Sequence, residues 1–172
     1  MQARTHFRPM NENNDKESAP ALMRYWQRLH GGLQMALNAL QNPLALIARF
    51  YVAEVFFASG LTKLRDWSTT VALFRDEYKV PVLPPEWAAV MGTAGEMVLP
   101  VLLLLGLLGR VPALGLGVVN IVAVISLSEI APAALQQHIS WGIVLAALAI
   151  FGSGKWVADP LVARGLRTLA RR

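Results

Sequence analysis

The chain has 172 residues, 55% of them hydrophobic and none of them cysteine, and carries a formal net charge of +5. A mean hydropathy of +0.43 is too high for an ordinary water-soluble domain, and the length suits one small membrane bundle. The missing thiols exclude disulfides, thiol chemistry and Cys-ligated haem or iron–sulfur groups, while basic residues scattered around apolar stretches argue against a nucleic-acid partner.

Residues 1–18 are polar and are expected to be disordered. They contain no short apolar core behind a basic start, so no secretory signal is read there. Over 19–43, Leu22, Tyr25 or Trp26, Leu29, Leu33 and Leu37 recur at helical spacing, which predicts an amphipathic helix on the membrane interface. Asn42 and Pro43 are expected to break it before the first span.

Four stretches approach the ~20 residues that cross a ~30 Å hydrocarbon core: Leu44 to Thr62, Trp87 to Gly109, Val111 to Ser128 and Ile139 to Val157. Each must be helical, because lipid offers backbone groups no partners. Between the first two, Asp66 is placed to cap a short helix with Trp67, Val71, Phe74 and Tyr78 on one face and Arg75, Asp76, Glu77 and Lys79 on the rest. That helix is expected to lie on the far interface. Pro100 predicts a kink beyond Glu96, and Pro112 begins the third span after a tight turn at Arg110. Trp87, Trp141 and Trp156 fall near predicted span ends. The fold class is therefore all-α: a four-transmembrane-helix domain over 44–160, preceded by the interfacial helix and followed by a basic tail over 161–172. Lys and Arg cluster in the leader and the tail, which puts both termini in the cytoplasm, against the dissent of Lys63, Arg65, Arg75 and Lys79 in the first loop.

Ionisable groups inside apolar spans are the best pointers to function. Glu54, Glu96 and Asn120 fall near the midpoints of spans one to three, with Arg49 five residues from Glu54, an offset of about 7.5 Å. Arg49 and Glu54 stand about 140° apart around their helix, so they cannot both face one neighbour. Arg49 is expected inward, on the face of Ala53, Phe56, Gly60 and Lys63, because a guanidinium cannot shed its charge and a carboxyl can take up a proton. Arg49, Glu54, Glu96 and Asn120 then form either a structural knot that fixes helix register or an intramembrane pocket, with Glu96 and Glu54 the proton-exchanging candidates. A second cluster, Lys63, Glu129 and His138, is expected at the far membrane face. With His6 and His30 on the other side, no histidine pair brackets a haem. No metal site, phosphate loop or nucleophile elbow is present.

The run ARFYVAEVFFASGLTKLRDW from Ala48, GTAGEMVLPVLLLLGLLGR from Gly92 and HISWGIVLAALAIFGSG from His138 resemble the DoxX family of small four-helix bacterial membrane proteins. Arg49, Gly60, Lys63, Glu96, Arg110, Gly152 and Gly154 stand where the family pattern has the same residues. LFRDEYKVPVLPPEWAA from Leu73 resembles a branch encoded beside multinuclear iron enzymes, and Ala58-Ser59 replace a common His-Gly pair. The resemblance implies the bacterial inner membrane and the membrane subunit of a redox or stress-response system, with a quinone-like carrier in the polar pocket and electrons from a soluble or membrane protein partner. Self-association is left open. The alternatives are a non-catalytic membrane anchor or assembly partner and, behind it, a small transporter.

Overall fold

A computed structural model of the protein describes residues 21–160 and Arg164. The expectations for the leader over 1–18, for His6 and for most of the tail over 161–172 lie outside the described residues. Five helices are described: α1 (Ala21–Arg65), α2 (Trp67–Asp76), α3 (Pro85–Leu105), α4 (Val111–Ser126) and α5 (Pro132–Phe151). The only strand-like feature among the described residues is an isolated antiparallel bridge between Tyr78 and Leu127.

Contacts divide the chain between Ala39 and Leu40. In the first unit the described part is helical, and Tyr25, Trp26, Leu29, Leu33 and Leu37 are exposed. The expected break at Asn42 and Pro43 does not occur, because α1 runs through Pro43. Proline removes one ladder bond, to the carbonyl of Ala39, and neighbouring groups hold the helix at this point. The Asn42 side-chain oxygen accepts the Lys155 N–H at 2.9 Å, and Gly154, at φ +76°, presses against Asn42 and Ala45.

In the second unit, α1 presents Arg49, Ala53, Phe56 and Gly60 inward, the expected face, with Val52 buried beside them. Val52 and Phe56 meet Leu103 of α3, Ala113 and Leu116 of α4 and Leu145 and Leu148 of α5 in one apolar core. Outside it, Val90, Val98, Leu114, Ile121 and Ile143 are exposed, as on a bundle whose solvent is hydrocarbon. Helices α1, α3 and α5 are long and apolar enough to cross a membrane. At 16 residues, α4 spans only about 24 Å.

Two helices end where hydropathy does not place them. Gly106 adopts a left-handed C-cap at φ +66° and ends α3 after Leu105, so the rest of the apolar stretch to Gly109 is turn. Expected from Ile139, α5 instead starts at Pro132 and stops at Gly152. Proline suits a helix's first turn, where its missing N–H costs no bond, so polar Gln136 and Gln137 belong to a helix and not to a connection. His138 and Trp141 consequently lie inside α5, not at its edge.

The short helix forms with the expected cap, running Trp67–Asp76, while Trp67 of its expected apolar face is exposed and Tyr78 lies beyond its end. Asp66 caps α2, its carboxylate accepting the Thr69 N–H at 3.0 Å and the Ser68 and Thr69 hydroxyls at 2.8 and 2.7 Å. Phe74 is buried against Ala88 and Ala89, with Val71, Tyr78 and Val80 around it. The two Thr69 bonds, then Ser68, hold the Asp66 carboxyl down to about 2, against an ordinary 3.8. A depressed carboxyl contributes stability that is complete above its unfolded value and disappears as pH falls through the folded one. Amide exchange across α2 is therefore expected to accelerate between about pH 4 and pH 2 while α4 and α5 stay protected, and Asp66→Ala is expected to produce the same loosening at neutral pH.

Candidate functional site

The two ends of the bundle carry different polar constructions. At one end, Arg49 is wholly buried and donates from Nη1 to the Leu104 carbonyl at 3.2 Å and from Nη2 to the Trp156 carbonyl at 2.7 Å. The Leu104 carbonyl lies in the last turn of α3, where carbonyls carry the helix's negative dipole end, and together with the Trp156 carbonyl in the segment after α5 it compensates the guanidinium without a carboxylate. The Arg49 Nε has no hydrogen-bond partner among the described residues. Nearby, Asp159 accepts the N–H groups of Leu108 and Gly109, both at 2.9 Å, and the Ala158 N–H reaches the Leu105 carbonyl. Arg49 and the segment after α5 thus clamp the turn between α3 and α4.

At the other end, Glu96 is buried and its Oε2 lies 2.6 Å from Lys63 Nζ, which also donates to Ser59 Oγ at 2.9 Å. A Cβ added at Gly60 would stand 3.2 Å from the Glu96 carbonyl carbon, so Glu96 is level with Gly60. Both Gly60 and Arg49's contacts with α3 show α1 and α3 running antiparallel. Asn120 grips His138 twice: its Nδ2 donates to the His138 carbonyl at 2.9 Å, and its Oδ1 lies 2.8 Å from the ring Nδ1. That pairing makes Nδ1 the protonated nitrogen of the neutral ring and leaves Nε2 as an acceptor. The Trp141 ring meets the imidazole edge-on at 5.0 Å.

These groups surround a cavity of about 340 Å³ whose walls are mainly apolar: Phe74, Tyr78, Met91, Val118 and Val122, with Ser59, Lys63, Glu96, Ser126 and His138 supplying polarity. The floor comes from α1, α3, α4 and α5, and α2 closes over it. Two bonds fix that cover: Thr70 Oγ1 donates to the Lys63 carbonyl at 2.8 Å, and the Lys79 N–H to the Ser126 carbonyl at 2.8 Å. Burial, followed by the carboxylates of Glu77 and Glu96, pushes the Tyr78 phenol above its ordinary value, so it stays a neutral hydroxyl at physiological pH.

The expected grouping of Arg49, Glu54, Glu96 and Asn120 is corrected. Arg49 faces inward as expected but binds carbonyls at the opposite end, 14 residues before Lys63, about 21 Å along α1. Glu54 is exposed on the outer face of α1 and does not line the cavity. Equating its depth with that of Glu96 fails because Glu96 lies level with Gly60, six residues or ~9 Å further along α1. Of the far-face cluster, Lys63 and His138 do line one cavity, whereas Glu129 is exposed outside it. The residues the sequence reading did not single out are Ser59, Tyr78 and Ser126. Ser59 stands one helical turn before Lys63, and Tyr78 ends the apolar face of α2, so both carried a signal.

The DoxX family model matches residues 44–129, half of the chain. No curated protein and no solved structure matches.

Proposed function

The chain belongs to the DoxX family, and from that premise we propose that it is the membrane subunit of a redox or stress-response system whose cavity holds a quinone-like carrier. The observation that carries this reading is the donor set: an ammonium has three N–H groups, and Ser59 and Glu96 occupy two of those on Lys63. The third is available to a ring carbonyl. At about 340 Å³, the cavity falls in the size range of small-molecule sites, and its apolar wall with a few convergent polar groups is their usual make-up. Such a carrier would supply two-electron, two-proton chemistry. Lys63 would orient it, Glu96 would give or take a proton, and the Nε2 of His138 would accept a hydroxyl proton. The phenol of Tyr78 and the rings beside it would exclude water. A chain without cysteine would draw its electrons through a protein partner.

On this reading the chain has four spans and both termini in the cytoplasm of a bacterial inner membrane, which would put the cavity and α2 toward the outer side. The expected result on purification from native membranes is a co-extracted quinone, depleted about tenfold or more by Glu96→Gln, since a hydrogen bond to a charged group contributes ~1.5–3 kcal/mol. Absence of quinone, together with an unchanged Glu96→Gln phenotype and loss of function on deleting 21–39, would favour the anchor reading instead.

A further inference from the structure

The outer face of α1 carries Leu44, Ile47, Tyr51, Glu54, Ala58, Leu61 and Arg65, all exposed. Their spacing alternates three and four residues over three heptads, the 3.5-residue repeat by which one helix packs along another. This seam lies opposite the Arg49, Val52, Phe56 and Gly60 face that the bundle itself covers. Lipid alone accounts for the apolar members. It does not account for Glu54, a carboxyl at mid-span with no hydrogen bond or ion pair among the described residues.

We infer that this seam is the contact between two copies of the chain, with the Glu54 carboxyls facing each other across a two-fold axis along the membrane normal. That axis brings each residue opposite its own copy at the same depth, so two Glu54 carboxyls meet and satisfy one another through a shared proton. No second kind of polar residue is required, which matters because Val90, Val98, Val101, Leu114, Ile121 and Ile143 make the outer faces of α3, α4 and α5 apolar at those depths. Ala58, one turn further on, is small enough for the two helices to approach closely. Tyr51, one turn before, accepts from Trp141 Nε1 at 3.2 Å and keeps its own hydroxyl proton for the partner copy. The inference is independent of what the cavity holds, since no seam residue lines it.

The cysteine-free chain permits a clean test by single-cysteine cross-linking of the full chain in lipid vesicles at low protein-to-lipid ratio. Ile47→Cys, Ala58→Cys and Leu61→Cys should give disulfide dimers, while Ile121→Cys and Ile143→Cys, on the exposed faces of α4 and α5, should remain monomeric. Adding Glu54→Leu should lower the Ala58→Cys dimer yield roughly fivefold to tenfold, the scale of one interhelical polar contact in lipid, and Glu54→Gln, whose amides can pair, should retain most of it. Equal cross-linking at all five positions, insensitivity to Glu54→Leu, or capture of a different protein at the seam without self-dimer would each overturn the inference.

Discussion

Glu96→Leu alone is expected to destabilise the folded protein by about 3–5 kcal/mol, and Lys63→Met added to it to restore most of that loss. The asymmetry arises because each partner has already been taken out of water: the Glu96 and Lys63 side chains are only 9% and 21% exposed. Removing the carboxylate leaves an ammonium with Ser59 Oγ as its remaining acceptor, whereas removing both charges leaves an apolar contact among apolar walls. Arg75 and Glu86 provide the internal contrast. Their separation is the same 2.6 Å, yet both side chains are more than half exposed, so solvent screens the attraction and Glu86→Gln is expected to change stability little. A double-mutant cycle on each pair, read from reversible unfolding in mixed micelles, separates the two cases. A cycle at Lys63 and Glu96 with no coupling would show that burial does not govern the pair.

Arg49→Lys is expected to be nearly as damaging as Arg49→Met, a loss of about 3–6 kcal/mol for two charge-assisted hydrogen bonds at ~1.5–3 each. A guanidinium fork reaches the Leu104 and Trp156 carbonyls together, and a lysine point charge cannot occupy both positions. Gly106→Ala should act on the same clamp from the other side. Its φ of +66° is unfavourable for alanine, and the new methyl would stand 2.6 Å from Val157 Cγ1 and 2.7 Å from Arg49 Nη1. In both variants faster exchange is expected first at the Leu108, Gly109 and Ala158 amides. Molecules that remain folded should bind carrier with unchanged affinity, because Arg49 is remote from the cavity. Affinity lost beyond that of stability-matched controls would return Arg49 to the binding site.

The helices and their inward faces were legible because hydrophobic spacing and caps are local properties. The face shared by Arg49, Ala53, Phe56 and Gly60, the Asp66 cap and the Phe74 side of α2 all follow from residues within a few turns of one another. What was not legible is depth. Hydropathy reports where apolar sequence stops, not where helix stops, and Gly106 ends α3 inside an apolar run while Pro132 starts α5 in a polar one. The Pro132 start carries His138 into the bundle, and the register between α1 and α3, which no local pattern encodes, sets Glu96 level with Gly60 and not with Glu54. The two clusters read separately from sequence therefore exchange members: Glu96 joins Lys63 and His138, Asn120 follows by holding the imidazole, and Arg49 and Glu54 go elsewhere. Glu129 stays outside, exposed in the connection between α4 and α5.

The most direct measurement is site mapping with a short-chain quinone carrying a photoreactive group, cross-linked to the protein in native membranes and located by peptide mass spectrometry. Label is expected on the cavity wall, at Tyr78, Met91 and Val122, with displacement by unmodified quinone and strong reduction in Glu96→Gln. Label confined to outward positions such as Ile121 and Ile143, undiminished by competitor and by Glu96→Gln, would contradict a carrier site between Lys63, Glu96 and His138.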